Sequence, residues 1–456
     1  MTTPSTPEST GSVVEPADPP ARSDRQMRKI ALAGFTGTVI EFYDLTLYAV
    51  TASLVFANVF FPALGTAAGT VAAFGTLGVA FVARPIGALI FGHFGDRLGR
   101  KRMLVTTLLL MGGATVVVGA MPTAEQIGVA APILIVLMRI VQGIAAGGEL
   151  AGAALFSTES APVAKRGFWT MFTSLGGGFS IVLANATLLL VAVSMSDEQF
   201  ASFGWRIPFL ASSILIVVGL YIRLKIEESP VFEAEIEAES TAVGDTRSRI
   251  PFFMAWRNQP RHMLLVAGIS IMQAALTYLG ATYFANVGTT QLGLSRTTVL
   301  AAGLVGGLFW AAGVVVGATT SDRVGRRPVL IVATAAATIW ALVVFTALDT
   351  ASGSLYLLLL CVTMFLAGLE IGPLNVMLTE LFRTEYRYSA SAFSYNIGLV
   401  LGGAVPPILG GVITASYGAF TFGVFVAALC LVSLLSALGL PETRHRNLLD
   451  SSKFER

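Results

Sequence analysis

The sequence predicts an all-α polytopic membrane protein with twelve transmembrane helices arranged as two pseudo-symmetric six-helix halves. Of the 456 residues, 54% are hydrophobic and only 12% are charged, whereas a soluble domain carries about 25% charged residues. A helix needs about 20 mainly apolar residues to cross a bilayer. Apolar runs of this kind begin near Ile30, Thr70, Met103, Gly128, Phe168, Arg206, His262, Thr297, Val329, Leu355, Ser389 and Gly418.

The placement of the basic residues supports an even number of spans. If both termini are cytoplasmic, the 29 Lys and Arg residues all fall on the cytoplasmic side except Arg84 and Arg139 within spans and Arg206 and Arg296 at the outer side. An odd number of spans would scramble this asymmetry. We therefore expect a multi-pass plasma-membrane protein with both termini in the cytoplasm. Basic residues spread over short loops also argue against nucleic acid as a partner.

Two motifs recur along the chain and predict an internal duplication. GHFGDRLGRKRML at 92–104 returns as ATTSDRVGRRPVL at 318–330, and STESAPVAKRG at 157–167 returns as LTELFRTEYRY at 378–388. The offsets are 226 residues between positions 92 and 318 and 221 between Glu159 and Glu380. Two independent pairs at nearly the same offset indicate two related six-helix units.

The duplication and the composition together predict the domain organisation. The N-terminal half covers 25–224 and the C-terminal half 261–440. A cytoplasmic linker at 225–260 contains the acidic run EESPVFEAEIEAE, which is more typical of a solvated helix face than of a binding site. Residues 1–24 are rich in Pro, Ser, Thr and Glu and predict a disordered cytoplasmic tail. A short cytoplasmic tail follows at 441–456.

The segment at 92–104 is predicted to form a polar turn between spans 2 and 3. Gly95 and Gly99 can adopt the left-handed conformations that a tight turn needs. Asp96 is placed to accept hydrogen bonds from the amides at a helix N-terminus. We therefore expect a conformational latch, formed in the two copies by Gly92, Asp96, Arg97, Gly99 and Arg100 and by Asp322, Arg323 and Arg326.

Spans 1 and 4 each carry a polar stripe within apolar sequence. Gly37, Glu41, Asp44 and Tyr48 lie at helical spacing in span 1. Charged residues inside a membrane span are costly, so they face a cavity or a partner and indicate function. The alternative is a structural ion pair buried in the helix bundle.

Asp44 and Arg139 are the predicted proton-coupling pair. Asp44 lies about 14 residues into span 1, and Arg139 lies about 11 residues into span 4, which runs the other way, so the two come near the same depth. Making or breaking a contact between an acid and an arginine binds or releases a proton. Glu41, one turn before Asp44, is the competing proton site.

Arg84 in span 2 is the predicted ligand of a solute carboxylate, through charge-assisted hydrogen bonds. It could instead organise Glu41, or snorkel to the membrane surface. The other candidate solute-binding residues are uncharged, and each could equally serve packing: Tyr48, Gln142, Gln273, Thr277, Tyr395 and Asn396. Cys361 and Cys430 lie in apolar runs, so no disulfide, metal or cofactor site is predicted.

These motifs resemble known transporters. The segment at 92–104 resembles the loop between helices 2 and 3 of the major facilitator superfamily, and 318–330 resembles its degenerate counterpart between helices 8 and 9. VIEFYDLTLYA, RPIGALIFGHFGDRLGRK, RIVQGIAAGGELAGA, GWRIPF and EESPVF together are similar to the metabolite:proton symporter family. Its members carry oxoglutarate, shikimate, citrate, or proline and betaine. Leu150 and Ala151 depart from the family pattern.

The resemblance implies the major facilitator fold, with a central cavity between the halves and alternating access. It implies a monomeric proton-coupled symporter that imports a small organic acid or zwitterion, driven by the proton gradient without a cofactor, and no enzyme activity. It also implies that Asp96 caps helix 11 of the other half when the protein is open outward, and that Arg100 pairs with Glu149. Sugar-proton symporters pair an acid on helix 1 with an arginine on helix 4, which are the positions of Asp44 and Arg139.

Two other classes of function remain open at this stage. A proton-coupled drug or metabolite antiporter is the main alternative, although span 5 lacks the Gly-Pro motif that is typical of drug antiporters. A channel or a transporter-like sensor is the other, and buried ionisable pairs favour coupled transport over a passive pore.

Overall fold

The computed structural model describes residues 24–98, 100–147, 150–225, 251–383, 386–444, 446 and 448, without the side chains of 92, 93, 95–98, 100–102, 104, 150–153, 156, 223, 225 and 251. Every regular element in this part of the chain is a helix. The N-terminal half contains α1 (Asp24–Thr51, continuing to Phe60), α2 (Gly65–Leu98), α3 (Arg100–Ala120), α4 (Ala130–Gly147), α5 (Arg166–Val193) and α6 (Arg206–Lys225).

The C-terminal half repeats this arrangement. It contains α7 (Pro260–Tyr278, continuing to Thr290), α8 (Arg296–Val324), α9 (Arg326–Asp349), α10 (Gly353–Leu381), α11 (Arg387–Leu399, continuing to Tyr417) and α12 (Ala419–Gly439). Shorter helices cover Leu150–Ser160 after α4 and Pro251–Asn258 within the predicted linker. Each predicted span begins within six residues of the observed helix, the largest difference being Ile30 against Asp24.

The helices have the length and composition of membrane spans. Ten described helices are long and apolar enough to cross a bilayer, and an eleventh span joins Asp197–Gly204 to Arg206–Ile222 across a 48° bend. The remaining helix, α3, contributes a shorter apolar segment, Val105–Ala120. Large apolar side chains such as Val217 and Ile339 are exposed on the outer surface, as a lipid-facing surface requires. The predicted twelve-helix membrane fold is confirmed.

The duplication is visible in helix geometry. α1 contains a π-helical segment at Ala52–Phe56, and α7 contains one at Leu279–Tyr283, an offset of 227 residues between positions 52 and 279. Such segments often lie at functional sites. Glycines at equivalent positions bring helices together: a Cβ on Gly87 would lie 1.9 Å from the Ile144 carbonyl oxygen, and one on Gly313 would lie 2.3 Å from that of Phe365. The same close contact therefore joins α2 to α4 and α8 to α10.

One expectation about the turn after α2 is wrong. α2 continues to Leu98, so Gly95 is helical rather than part of the turn. A single glycine suffices to reverse the chain, as the second copy shows: Gly325 has φ +108° between α8 and α9. Of the predicted latch, Gly99 and Glu149 lie outside the described residues, and so do the side chains of Asp96, Arg97 and Arg100, whereas Gly92 lies in α2. The acidic run of the linker also lies outside them.

Candidate solute and proton site

Asp44 is the centre of a buried polar network in the N-terminal half. It is 4% exposed, and its Oδ2 lies 3.6 Å from Arg139 Nη2. The Thr115 hydroxyl donates to Oδ1 at 2.5 Å, and Gln142 Nε2 lies 2.9 Å from both carboxylate oxygens. One cation and two neutral donors thus stabilise the carboxylate. A cavity of about 20 Å³ beside Asp44 and Thr115 has room for about one water molecule.

Arg139 contacts Asp44 by charge rather than through hydrogen bonds. It is fully buried, and none of its three side-chain nitrogens has a hydrogen-bond partner within the described part of the chain. Its guanidinium carbon lies 3.4 Å from the centroid of the Tyr48 ring, a cation–π contact. The Tyr48 hydroxyl shares a hydrogen bond with Thr76 at 2.5 Å. The pair with Asp44 can therefore separate without breaking a directional bond on the arginine side.

Arg84 and Glu41 form a second buried pair. Arg84 Nη2 lies 3.9 Å from Glu41 Oε1, and both side chains are 1% exposed. Arg84 Nε and Nη2 have no hydrogen-bond partner among the residues that the structure describes. The Phe81 ring, 5.3 Å from the Arg84 guanidinium, packs edge-on against Tyr278 of α7 at 4.7 Å. Arg84 therefore presents unused donors close to the interface between the halves.

The C-terminal half faces this interface with uncharged polar groups. Tyr395 donates to Gln273 Oε1 at 3.3 Å, and Gln273 Nε2 donates to the Thr277 hydroxyl at 3.3 Å. Trp310 Nε1 donates to the same hydroxyl at 3.1 Å. Tyr395, Gln273 and Trp310 line a cavity of about 10 Å³ together with Ser174 from α5. The cavity thus has walls from both halves.

Several site residues were missed by the sequence reasoning. Trp310 lies 226 residues after Arg84, the offset of the repeated turn, so the repeat places it opposite Arg84; this signal was present in the sequence. Asn375 donates to Ser174 across the halves at 2.8 Å. No sequence pattern marks Thr115, which lies within an apolar stretch of α3.

Three predicted solute ligands have other contacts in this conformation. Tyr48 and Gln142 belong to the Asp44 network inside the N-terminal half. The Asn396 side chain donates to the Ala392 carbonyl one turn earlier in α11, beside a second interface cavity of about 20 Å³. Their role in solute binding stays a prediction.

The second copy of the turn motif forms an interdomain cap. Asp322 Oδ1 accepts from the Gly167 amide at 2.9 Å, and Oδ2 accepts from the Phe168 amide at 2.8 Å. These amides belong to the first turn of α5, where a carboxylate also interacts favourably with the helix dipole. Arg326 Nη1 holds Asp322 at 2.7 Å, whereas the Arg323 side chain is exposed. This is the geometry that the family resemblance implies for Asp96 and α11.

The same end of the bundle carries two crossed ion pairs between the halves. Arg166 Nη1 lies 3.3 Å from Glu380 Oε1, and Arg387 Nη1 lies 2.8 Å from Glu159 Oε1. These four residues are the repeated acid–arginine motif, and each acid pairs with the arginine of the other copy. We call the end of the bundle with these pairs and the α8–α9 turn the basic end.

The chain after α12 covers the basic end. The Thr443 hydroxyl donates to Glu380 Oε2 at 2.7 Å, and Arg166 donates to the Arg446 carbonyl at 2.8 Å. Glu442 accepts from the first two amides of α9 at 2.9 and 3.0 Å. The segment thus adds contacts to both halves.

The halves also meet at the opposite end. Arg296 at the start of α8 lies 3.0 Å from Asp197 in the segment before α6. A Cβ on Gly78 of α2 would lie 3.0 Å from Ile408 Cδ1 of α11. Both ends are in contact, and the two interface cavities lined by described residues measure about 10 and 20 Å³, too small for a metabolite. In this part of the chain the structure is therefore a closed state.

Comparisons with known proteins agree with this geometry. The family model described as Major Facilitator Superfamily matches residues 35–396. The chain is 38% identical over 425 residues to the inner membrane metabolite transport protein YhjE of Escherichia coli (strain K12), covering 92% of this chain and 95% of that protein. It is 37% identical over 423 residues to the shikimate transporter of the same strain, covering 91% and 95%.

Solved structures show the same fold. The proton:xylose symporter XylE bound to 6-bromo-6-deoxy-D-glucose gives a TM-score of 0.78 at 19% identity, covering 95% of this chain and 100% of that one. The inward open conformation of XylE from E. coli gives 0.70 at 19% identity, covering 94% and 99%.

Proposed function

The chain belongs to the Major Facilitator Superfamily, and on that premise we propose that it is a proton-coupled symporter that imports a small carboxylate-bearing or zwitterionic metabolite by alternating access. It is a multi-pass membrane transporter and not an enzyme. The proposal adds the coupling ion, the chemical class of the solute and the direction of transport.

The Asp44–Arg139 contact is the observation that carries the proposal. A buried carboxylate is stable only while paired and hydrogen-bonded. If α4 shifts against α1 within the N-terminal half as the protein changes state, so that Arg139 moves away, Asp44 gains a proton; when Arg139 returns, the proton leaves. The cavity beside Asp44 has room for about one water molecule that can take up the proton. Coupling would thus need neither cofactor nor metal, only the proton gradient.

Arg84 supports a solute with a carboxylate. Its two unused nitrogens can donate to both oxygens of a carboxylate in a bidentate contact. Glu41 beside it can receive the cationic group of a zwitterion. Trp310 and Tyr395 supply an aromatic wall from the other half. Two kinds of relative fit this class: a shikimate transporter, and proline/betaine transporters of about 30% identity.

The basic end is proposed to face the cytoplasm. Lys and Arg residues in short loops resist translocation, and the turn motifs and crossed ion pairs lie at this end. The closed basic end would then keep the site from the cytoplasm until solute and proton have bound from outside. We propose that the monomer is the transporting unit.

Uptake into proteoliposomes with an imposed pH gradient tests the proposal. A symporter accumulates solute only when the outside is more acidic, and uptake saturates. Accumulation under the opposite gradient would show an antiporter, and non-saturable flux independent of the gradient would show a channel. Either result would refute symport.

A thermal-shift screen selects the solute for that experiment. A ligand that binds only the folded state raises its apparent stability. Oxoglutarate, citrate, shikimate, proline and betaine sample the proposed class, and glucose serves as a neutral control. We expect at least one carboxylate to raise the melting temperature, with Arg84→Ala abolishing the shift. A shift produced by glucose alone would contradict the proposed solute class.

A further inference from the structure

Glu370 is a buried acid that the proposed mechanism does not use. It lies near the middle of α10 and is 0% exposed. Neither carboxyl oxygen has a hydrogen-bond partner among the described residues. An ionisable residue inside a membrane span is expensive and indicates function by default.

Among the described residues, no cation acts on the Glu370 carboxyl group to stabilise an ionised form. α5, α7, α8, α9, α11 and the Leu150–Ser160 helix pack against α10. Their charged groups lie at the helix ends and not at the depth of Glu370: Glu159, Arg166, Arg261, His262, Arg296, Asp322, Arg323, Arg326, Arg327, Asp349 and Arg387. On α10 itself, Glu380 lies ten residues further along, about 15 Å away.

The titratable groups that do face Glu370 are neutral. Tyr395 of α11 and Cys430 of α12 interact electrostatically with its carboxyl group, and the backbone of Gln273 in α7 lies against it. Without a cation, burial of a carboxylate is relieved by binding a proton. Asp44 has the opposite environment, with Arg139, Thr115 and Gln142 around it. Asp44 thus has a cation and hydrogen-bond donors for its ionised form, whereas Glu370 has neither among the described residues.

Glu370 also adjoins the interface. Ile371, the next residue, lines the interface cavity together with Gln273 and Tyr395. Tyr395 interacts electrostatically with Arg84 and Glu41 on one side and with Glu370 on the other. Opening of this cavity would therefore bring water to the Glu370 carboxyl group. Pro373, inside α10 one turn later, removes a backbone hydrogen bond and permits local bending.

We propose that Glu370 is a second, exchangeable proton-binding site, which holds a proton in this closed state and releases it when the C-terminal half opens to water. Transport would then move a proton through each half of the molecule. The use of this proton in transport rests on the proposed function. The protonation of Glu370 stands on its own environment.

Infrared spectroscopy of the purified full-length protein detects whether Glu370 carries a proton, and no solute has to be added. At neutral pH we expect one protonated-carboxyl C=O band that is present in the wild type and in Asp44→Asn but lost in Glu370→Gln. On transfer to D₂O the band should shift as the proton exchanges. Because no solute is needed, failure of symport in the uptake experiment would not affect this result.

Two results would overturn the inference. The absence of a band difference between wild type and Glu370→Gln would show that Glu370 is ionised. A band that never exchanges in D₂O would show a permanently protonated structural acid. If Glu370→Gln does not fold, Glu370→Met gives the same comparison. Labelling the wild type with ¹³C-glutamate is a second route, because it shifts the glutamate bands and leaves the Asp44 band unchanged.

Discussion

At the residue scale, a substitution of Arg84 can distinguish the effect of its positive charge on solute binding from the effect of its hydrogen-bond geometry. Lysine keeps the positive charge near Glu41 but loses the planar fork that binds a carboxylate through two bonds. Hydrogen bonds to charged groups contribute about 1.5–3 kcal/mol each, and 1.4 kcal/mol corresponds to about tenfold in affinity.

Arg84→Lys is therefore expected to weaken solute affinity at least about tenfold, measured as the concentration for half-maximal uptake. Arg257→Lys is the matched control, because Arg257 is exposed in the short helix before α7. Unchanged affinity in Arg84→Lys would show that Arg84 is not a solute ligand.

The sequence predicted some of these residues better than others. Asp44 and Arg139 were predictable because charged residues in apolar spans are conspicuous, and helix geometry puts both at one depth. Thr115 and Asn375 were not, because a hydroxyl or amide in an apolar span usually bonds to its own helix. Thr115 and Asn375 reach their partners because of how α3 and α10 are rotated about their axes. The hydrophobic periodicity of a single sequence does not reveal that rotation.

At the element scale, glycines fix the distance between helices in each half. Gly143 of α4 approaches α2 so closely that a Cβ would lie 2.2 Å from the Ala80 carbonyl oxygen. Because the nearest atom of α2 belongs to its backbone, neither helix can move aside easily to make room for a side chain. Small residues of this kind are the usual basis of close helix packing in membranes.

Gly143→Ala is expected to destabilise the protein by about 1–3 kcal/mol through overpacking, measured as a lower melting temperature in detergent. Gly75→Ala in α2 is the matched control, since its Cβ would have no neighbour within 4 Å. Equal melting temperatures for the two variants would contradict the close packing of α2 on α4.

The starts of the helices were also predictable, whereas the end of α2 was not. Span starts followed the apolar runs closely, yet Gly95 was assigned to a turn although α2 runs on to Leu98. Hydropathy marks where the apolar part of a helix ends, but the helix itself can continue into the polar region. The stop is set by local backbone conformation, as Gly325 shows with its positive φ.

At the scale of the whole molecule, the two halves share a framework but differ in chemistry. The π-helical segments, the glycine contacts and the crossed acid–arginine pairs recur in both halves. The Asp44–Arg139 and Arg84–Glu41 pairs belong to the N-terminal half, and Glu370 belongs to the C-terminal half. The framework allows symmetric rocking, while the buried charges make the halves respond differently to protons and solute.

Weakening one crossed pair should open the basic end. Arg387–Glu159 is partly exposed and contributes about 1 kcal/mol, so Glu159→Gln should raise the open population about fivefold. The measurement is the reactivity of Thr379→Cys toward a membrane-impermeant thiol reagent applied at the basic end, with Cys361 and Cys430 replaced by Ala. Thr379 is buried beside the interface cavity in the closed state.

The control for this measurement is Glu125→Gln in the same background, because Glu125 is exposed in the short helix Ala124–Ile127 between α3 and α4. Its labelling rate should match the parent. If Glu159→Gln labels no faster than Glu125→Gln, the crossed pairs do not hold the basic end closed.

The central claim is that Asp44 carries the coupling proton, and Asp44→Asn tests it most directly. Asparagine keeps the shape and can still accept the Thr115 hydrogen bond, but it cannot exchange a proton. In proteoliposomes loaded with the solute identified by the binding screen, Asp44→Asn should retain exchange of labelled for unlabelled solute and lose accumulation driven by an acid outside. Asp349→Asn, an exposed aspartate at the end of α9, should keep both. Full uphill accumulation in Asp44→Asn would contradict the account and move the proton site to Glu41.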